Sequence, residues 1–110
     1  MSKFVVKYLK TANKKEPLFD WLTAIDSISR KRILQRLLRI EEGNFGDCKR
    51  IDKEISELRF KFGSGYRIYF TELNNVILLL INGGDKSTQT KDIKTAKELL
   101  KQWRLENDKI

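Results

Sequence analysis

Cationic side chains alternate with apolar side chains on either side of the turn at residues 63–65, which reads Gly-Ser-Gly. Alternation with a period of two is typical of β-strands that bury one face. Residues 55–73 therefore predict a hairpin, and pairing of its strands brings three cations and a phenol to one face. These four residues are Arg59, Lys61, Arg67 and Tyr69.

This group of side chains is suited to the chemistry of a phosphodiester. Positive charges stabilise a phosphorane-like transition state, and crowding by like charges can lower the pKa of a lysine toward a useful general acid or base. The ribose 2′-hydroxyl is a built-in nucleophile, so such a site could cleave RNA without histidine or a metal ion. An ordinary solvated strand face is the alternative, but the apolar opposite face and the surplus of basic residues favour a site.

A second cue is the turn that follows the apolar run at residues 76–81. Residues 83–87 read Gly-Gly-Asp-Lys-Ser and precede a predicted helix. Backbone N–H groups, Lys86 and a helix N-terminus would converge there on a place that favours an anion. The stretch lacks the full GxxxxGK(S/T) pattern, which argues against a nucleoside triphosphate site. Because the turn leaves the sheet beside the hairpin, Lys86 joins the predicted cationic group.

The composition narrows the chemistry further. The 110 residues include no histidine, which excludes Ser-His-Asp and Cys-His hydrolases and nucleases built on paired histidines. The scattered acidic residues lack the spacing of a metal cage, and we expect neither a metal ion nor another cofactor. Cys48 is the only cysteine and cannot form an intrachain disulfide, and no signal peptide is recognisable at the start. A cytoplasmic protein without a membrane-spanning segment is the simplest interpretation.

Periodicity along the first half of the chain predicts the elements that come before the hairpin. An apolar run at residues 4–9 predicts a strand. Helical spacing of apolar residues predicts one helix over residues 16–26. It predicts a second helix with Ser27 or Ser29 as its N-cap and Gly43 as its C-terminal stop.

The remaining segments complete the predicted fold. Residues 43–53 show no clear period and predict a loop, and a last helix begins near Thr90. The fold class is α+β in the order β-α-α-β-β-β-α, as one domain over residues 1–110. We expect the helical hairpin and the C-terminal helix to pack on one side of a mainly antiparallel sheet.

The second predicted helix carries a basic stripe opposite its apolar face. Lys plus Arg number 23 against 15 Asp plus Glu, and residues 1–53 hold 13 basic and 7 acidic side chains, so most of the surplus lies in the first half. The stripe could track a nucleic-acid backbone, dock an acidic partner, or be a solvated helix face. The residues that we single out for RNA binding are Arg32, Arg36, Arg39 and Lys61.

A recognisable pattern is formed by residues 57–59 (Glu-Leu-Arg), residues 63–70 (Gly-Ser-Gly-Tyr-Arg-Ile-Tyr-Phe) and residues 83–89 (Gly-Gly-Asp-Lys-Ser-Thr-Gln). Asp92 and Ile93 extend it into the last helix. The pattern resembles the addiction-module killer proteins, the phage Gp49-like/HigB branch of the RelE/ParE toxin superfamily. The likeness covers nearly the whole chain.

That resemblance implies a RelE-like fold and a toxin of a type II toxin-antitoxin system. Many members are ribosome-dependent mRNA endonucleases, whereas the ParE relatives poison DNA gyrase. It also implies two partners, which are mRNA in the ribosome and a cognate antitoxin, a small helix-turn-helix protein in the HigA-like case. The RNases place catalytic basic residues on the second and third strands and after the fourth, and Arg59, Arg67 and Lys86 match those positions.

The sequence departs from the pattern of those RNases at two places. It has Glu57 two positions before Arg59, where they often have a basic residue, and its C-terminal helix has no Tyr or His. If the chain is an RNase, Glu57 could act as the general base, and Arg59 and Arg67 could hold the phosphate. Lys86 or Tyr69 could then supply the general acid.

Three functions therefore stay open from the sequence. The first is a metal-independent endoribonuclease that cleaves mRNA and inhibits translation. The second is a ParE-like inhibitor of gyrase that needs no catalytic residues. The third is a non-catalytic nucleic-acid-binding module that uses the basic stripe of the second helix.

Overall fold

The chain forms an α+β fold in which three helices accompany a five-stranded sheet, and this computed structural model describes residues 3–107. The elements are β1 (Val5–Tyr8), α1 (Pro17–Ala24), α2 (Ser27–Glu41), β2 (Cys48–Arg50), β3 (Ser56–Arg59), β4 (Arg67–Leu73), β5 (Ile77–Gly84), a 3₁₀ turn (Lys86–Thr88) and α3 (Gln89–Asn107). Within the described range, no helix combines the length and the apolar character needed to cross a membrane. The predicted domain limits at residues 1 and 110 lie outside the described residues.

The sheet is mostly antiparallel, with strand order β1-β5-β4-β3-β2. β1 pairs with β5 in parallel, and every other neighbouring pair is antiparallel. The predicted hairpin is confirmed, and its register places Glu57 opposite Tyr69 and Arg59 opposite Arg67. β5 pairs with the other edge of β4 and places Gly84 opposite Arg67. The central strands therefore fix the relative positions of the predicted site residues.

Strand β2 lies in the stretch that the sequence predicts to be a loop. Its three residues are all exposed, so it has no alternation of apolar and polar side chains to reveal it. Within residues 3–107 it forms one edge of the sheet, where it pairs with β3, for example Lys49 with Glu57. The fold thus contains one more strand than the predicted order.

Helices cover both faces of the sheet, and the prediction that they share one side is wrong. On one face, α1 and α2 pack on alternate residues of the central strands, such as Ile68 and Leu80. On the other face, α3 packs on the residues between them, with Ala96 and Leu100 against Tyr69. β4 and β5 are buried on both faces, which makes the sheet the middle layer of three.

Local signals set the limits of the first two helices. Pro17 begins α1, where a missing N–H costs nothing. The N-cap of α2 is Asp26 and not Ser27 or Ser29, since the carboxylate Oδ2 accepts a hydrogen bond of 2.9 Å from the backbone N–H of Ser29. The predicted stop at Gly43 agrees with its φ of +88° and with its N–H, which donates to a carbonyl in the last turn of α2.

The close approach of α1 to β5 depends on a glycine. The Trp21 ring lies directly over Gly83, and a Cβ added there would lie 2.5 Å from Cε3 of the ring. The neighbouring Gly84 is equally constrained, because an added Cβ would overlap the Asp92 carboxylate of α3. Two adjacent glycines at the end of β5 therefore allow one helix to pack closely against each face of the sheet.

We expect Gly83→Ala to lower the free energy of unfolding by about 1–3 kcal/mol, because the added methyl group overpacks against Trp21. Chemical denaturation of the purified protein measures this loss. The matched control is the same substitution in a Trp21→Leu background, where the ring is absent and the penalty should shrink. Equal penalties in both backgrounds would contradict this account of the contact.

Candidate active site

Three predicted cations meet at one end of the sheet. Arg59 ends β3, Arg67 begins β4 directly opposite it, and both flank the turn that joins the two strands. Lys86 arrives from the segment after β5, where its backbone N–H donates to the carbonyl of Ser64 in that turn over 3.4 Å. Arg67 Nη1 donates to the carbonyl of Gly65 over 2.9 Å, and Gly65 also lies against the side chain of Lys86. The hairpin turn thus contacts both Arg67 and Lys86.

A buried carboxylate links the two arginines. Glu57 is 0% exposed, and its Oε1 accepts a hydrogen bond of 2.8 Å from Arg59 Nε. Its Oε2 lies 3.5 Å from Arg67 Nε. The side chain of Arg59 is 33% exposed and that of Arg67 is 13% exposed, so Arg59 is the more accessible of the two arginines. Each ion pair uses the Nε atom of a guanidinium that has five N–H donors in all.

The electrostatics of this group favour the charged form of Glu57. Burial by itself raises the pKa of the carboxyl. Hydrogen bonds from Arg59 and Gln89, together with the charges of Arg59 and Arg67, outweigh burial and hold the pKa below its ordinary value. In return, the hydrogen bond to Glu57 raises the pKa of Arg59. The group carries two positive charges and one negative charge before Lys86 is counted, which leaves a positive surplus for a phosphate.

Tyr69 lies next to Glu57 but has no exposed surface. The sequence predicts that it shares a solvent-facing strand face with the arginines, and the structure differs because α3 covers this part of the face. Burial raises the pKa of the Tyr69 hydroxyl above its ordinary value, and the negative charge of Glu57 raises it further. The arginines escape this cover because they lie at the end of the strands, beside the start of α3.

The segment after β5 is held in place by its own polar side chains. Asp85 Oδ1 accepts a hydrogen bond of 2.9 Å from the backbone N–H of Ser87, which caps the 3₁₀ turn. Asp85 Oδ2 accepts one of 3.0 Å from the Ser64 hydroxyl in the hairpin turn. The hydrogen bonds from Ser87 and Ser64 lower the pKa of Asp85. This arrangement ties the segment to the hairpin and holds Lys86 beside the arginines.

Gln89 belongs to this site, although its residue type alone does not mark it. It is the first residue of α3, and its Nε2 donates a hydrogen bond of 2.8 Å to Oε2 of Glu57. The signal that could have found it is its position at the end of the Gly-Gly-Asp-Lys-Ser-Thr-Gln run. Gln89 directly follows the capped 3₁₀ turn that comes after β5, so its side chain lies close enough to reach the end of the sheet.

The residues predicted to bind RNA lie on the other side of the hairpin, toward α2. Lys61 follows the end of β3 and lines a groove with Arg32 and Arg39, away from the face that carries Arg59 and Arg67. The predicted sharing of one face by Lys61 and the arginines is therefore wrong, because the strand ends at Arg59. Arg32 lies 4.0 Å over the ring of Phe62, which gives the groove an aromatic wall.

Arg36 lines the same groove, but much of its hydrogen-bonding capacity goes to the protein itself. Its Nη2 donates to the carbonyls of Phe45 over 2.9 Å and Asp47 over 2.7 Å. Its Nη1 donates to the carbonyl of Arg59. Burial lowers the pKa of Arg36 from its ordinary value. Arg36 therefore ties α2 to the end of β3, where it holds the backbone of Arg59.

The structure is an α+β protein with two arginines braced by a buried carboxylate at one end of its sheet. Residues 20–101 match the family described as "Phage derived protein Gp49-like". The chain is 48% identical over 83 residues to an uncharacterised protein of Haemophilus influenzae, a stretch that covers 74% of this chain and 84% of that protein. The chain therefore belongs to the Gp49-like family of phage-derived proteins, which is associated with toxin-antitoxin systems and commonly supplies the toxin.

Glu57→Gln should change the pH dependence of stability. The folded-state pKa of Glu57 lies below its ordinary value of 4.5, so its stabilising contribution is complete above that value and is lost as the pH falls through the folded-state pKa. The variant should lose about 2 kcal/mol near neutral pH, because the arginines lose their charged partner. Below about pH 5 its stability curve should be flatter than that of the wild type.

Denaturant unfolding at a series of pH values between neutrality and the acid range measures both effects. Glu72→Gln, at an exposed position of β4, serves as the control for removing a carboxylate elsewhere on the sheet. Parallel curves for the wild type and Glu57→Gln across the acid range would contradict the assignment.

Proposed function

We propose that this chain is the toxin of a type II toxin-antitoxin pair, with a RelE-like fold, and that it cleaves mRNA in the translating ribosome. The observation that supports the cleavage is that Arg59 and Arg67 share a buried carboxylate, while the backbone of Lys86 is bonded to the turn that joins their strands. Membership of the Gp49-like family supports the toxin class. The proposed site of action is the cytoplasm, where ribosomes are found, and the outcome is inhibition of translation.

The proposed reaction is an attack of the ribose 2′-oxygen on the adjacent phosphorus. The bond from phosphorus to the 5′-oxygen of the next nucleotide breaks, which leaves a 2′,3′-cyclic phosphate and a 5′-hydroxyl. Arg59 and Arg67 bind the nonbridging oxygens and stabilise the extra charge of the pentacoordinate state. Lys86, which is exposed, donates a proton to the leaving 5′-oxygen, and the proton of the 2′-hydroxyl passes to solvent water.

Glu57 and Tyr69 take different roles in this scheme from those considered from the sequence. Both oxygens of the Glu57 carboxylate face hydrogen-bond donors of the protein, and the residue is fully buried. We therefore assign Glu57 to positioning of the arginines and not to proton transfer. Tyr69 is fully buried beneath α3, so we assign it to the packing of that helix on the sheet and give the acid role to Lys86.

The proposed partners are mRNA held by the ribosome and a small helix-turn-helix antitoxin of the HigA-like kind. The groove lined by Arg32, Arg39 and Lys61 is proposed to bind the RNA strand outside the cleaved bond. Its cations can follow the phosphate backbone, and Phe62 offers an apolar wall next to Arg32. The active-site cations and the groove lie on opposite sides of the β3–β4 hairpin, so a strand that contacts both must pass over its turn.

Substitution of Arg59, Arg67 or Lys86 by Ala should reduce mRNA cleavage about 100-fold or more, because each variant loses a charge that acts on the transition state. Primer extension on mRNA after brief induction maps the cleaved ends and measures their yield. Lys7→Ala, at an exposed position of β1, removes a positive charge from another part of the surface and should cleave like the wild type.

Two results would overturn the proposed reaction. One is intact mRNA and continued translation during wild-type induction while DNA breaks accumulate, which is the outcome for a gyrase inhibitor. The other is undiminished toxicity of the Arg59→Ala and Arg67→Ala variants, which would show that toxicity needs no active site. Normal growth on strong expression, with salt-sensitive RNA binding, would favour a non-catalytic binding module.

Arg39→Ala and Lys61→Ala should each weaken binding of a single-stranded RNA oligonucleotide and reduce the slope of log affinity against log salt by about 0.7. Fluorescence anisotropy at increasing KCl concentration measures the slope, with Lys94→Ala on the exposed side of α3 as the control. An unchanged slope would contradict RNA binding in the groove. If the same variants lost affinity for the antitoxin instead, the groove would be an antitoxin-binding surface.

A further inference from the structure

The start of α3 makes a polar contact with the cationic site. Gln89 is the first residue of this helix, and its amide nitrogen lies 2.8 Å from Oε2 of Glu57, across 32 positions of sequence. The same carboxylate contacts the Nε atoms of Arg59 and Arg67. A single side chain of α3 therefore touches the group that orients both arginines.

We propose that Gln89 is a positioning residue, which holds the Glu57 carboxylate so that it aligns Arg59 and Arg67, and that the anion site is therefore assembled only while the first turn of α3 is docked on the sheet. The functional part of this inference rests on the proposed RNA cleavage. The structural part rests on the contacts alone and can be tested without activity.

The geometry of the carboxylate explains why a third donor is needed. Oε1 has a close donor in Arg59 Nε at 2.8 Å, whereas Oε2 has only the longer contact of 3.5 Å to Arg67 Nε. The hydrogen bond from Gln89 fixes Oε2 and so prevents the carboxylate from rotating toward Arg59 alone. In a buried site, an acceptor oxygen without a close donor has lost its hydrogen bonds to water without replacement, and the amide supplies that replacement.

The chemical type of residue 89 is also informative. A neutral amide supplies a donor without changing the charge of the group, so the positive surplus of the arginines stays available to a phosphate. A carboxylate at this position would cancel that surplus and repel Glu57. A lysine would compete with the arginines for the single negative charge. Glutamine therefore meets both requirements, a donor at the required reach and no charge.

Docking of α3 is what brings Gln89 to the carboxylate. Downstream in the helix, Ala96 and Leu100 are buried against the sheet. The Asn82 side-chain amide of β5 donates a hydrogen bond of 3.1 Å to the backbone carbonyl of Asp92 in the first turn of α3. Any process that lifts this end of the helix removes the donor from Glu57 and so loosens both arginines. The site is thus coupled to the position of a helix that carries none of its cations.

Gln89→Leu tests the inference, because the side chain keeps its bulk and loses its donor. Two readouts are measured on the purified chain. One is the pKa of Glu57, from the pH titration of its carboxyl ¹³C resonance, which should rise toward its ordinary value. The other is the ribosome-dependent cleavage of mRNA, in which kcat should fall about tenfold with a smaller change in KM, as for other residues that orient a reacting group through a second residue. Gln102→Leu, at an exposed position of the same helix, is the control and should change neither readout.

The two readouts separate failure of this inference from failure of the proposed function. An unchanged Glu57 titration together with unchanged cleavage would overturn the positioning role. If the wild type cleaves no RNA, the proposed function fails, and the titration alone decides whether Gln89 holds Glu57. Should Gln89→Leu fail to fold, Gln89→Met has the same length without a donor, and its titration curve supports or overturns the inference in the same way.

Discussion

The candidate site depends on one buried carboxylate between two arginines. Arg59 and Arg67 lie directly opposite each other on neighbouring antiparallel strands, a placement in which like charges destabilise a sheet. Glu57, two residues before Arg59, contacts both guanidinium groups and turns a repulsive pair into a bridged group. Burial of a lone carboxylate would itself be costly, so each part of the group makes the others tolerable. A concentration of positive charge at the end of two neighbouring strands is thereby compatible with a stable sheet.

This interaction in turn requires the three-layer architecture. Glu57 is buried because α3 crosses the face of the sheet that the sequence presents as polar, and the same helix supplies Gln89. The approach of α1 and α3 to the end of β5 requires that Gly83 and Gly84 lack side chains. Asp85 then fastens the next turn to the hairpin through Ser64. A simple cationic patch would need none of these contacts, whereas a fixed arrangement of the two arginines needs all of them.

Most of the sheet around the site could be predicted from the sequence, but the helix that covers this part of the sheet could not. Period-two alternation and a glycine-bounded turn predict a hairpin whose polar face carries Arg59 and Arg67, but they do not show which residues lie opposite each other. The place of α3 did not follow, because Glu57 and its polar neighbours make that face resemble a solvated one. β2 escaped prediction because three exposed residues carry no hydrophobic pattern. Pattern reasoning detects burial of apolar groups, and here the decisive burial is that of a charge.

The basic side chains of the chain also differ in what they contact, and a count of charges does not show this difference. Arg30 Nη1 donates to the carbonyl of Leu22 over 3.2 Å and to that of Ile25 over 3.4 Å, which fixes the end of α1 against α2. Arg36 similarly bonds backbone carbonyls near β2 and β3. Two arginines of α2 thus hold the fold together, whereas Arg32 and Arg39 of the same helix are exposed. Because guanidinium groups serve both purposes, the hydrogen-bond partners of each arginine, and not the net charge, distinguish a nucleic-acid surface from a structural brace.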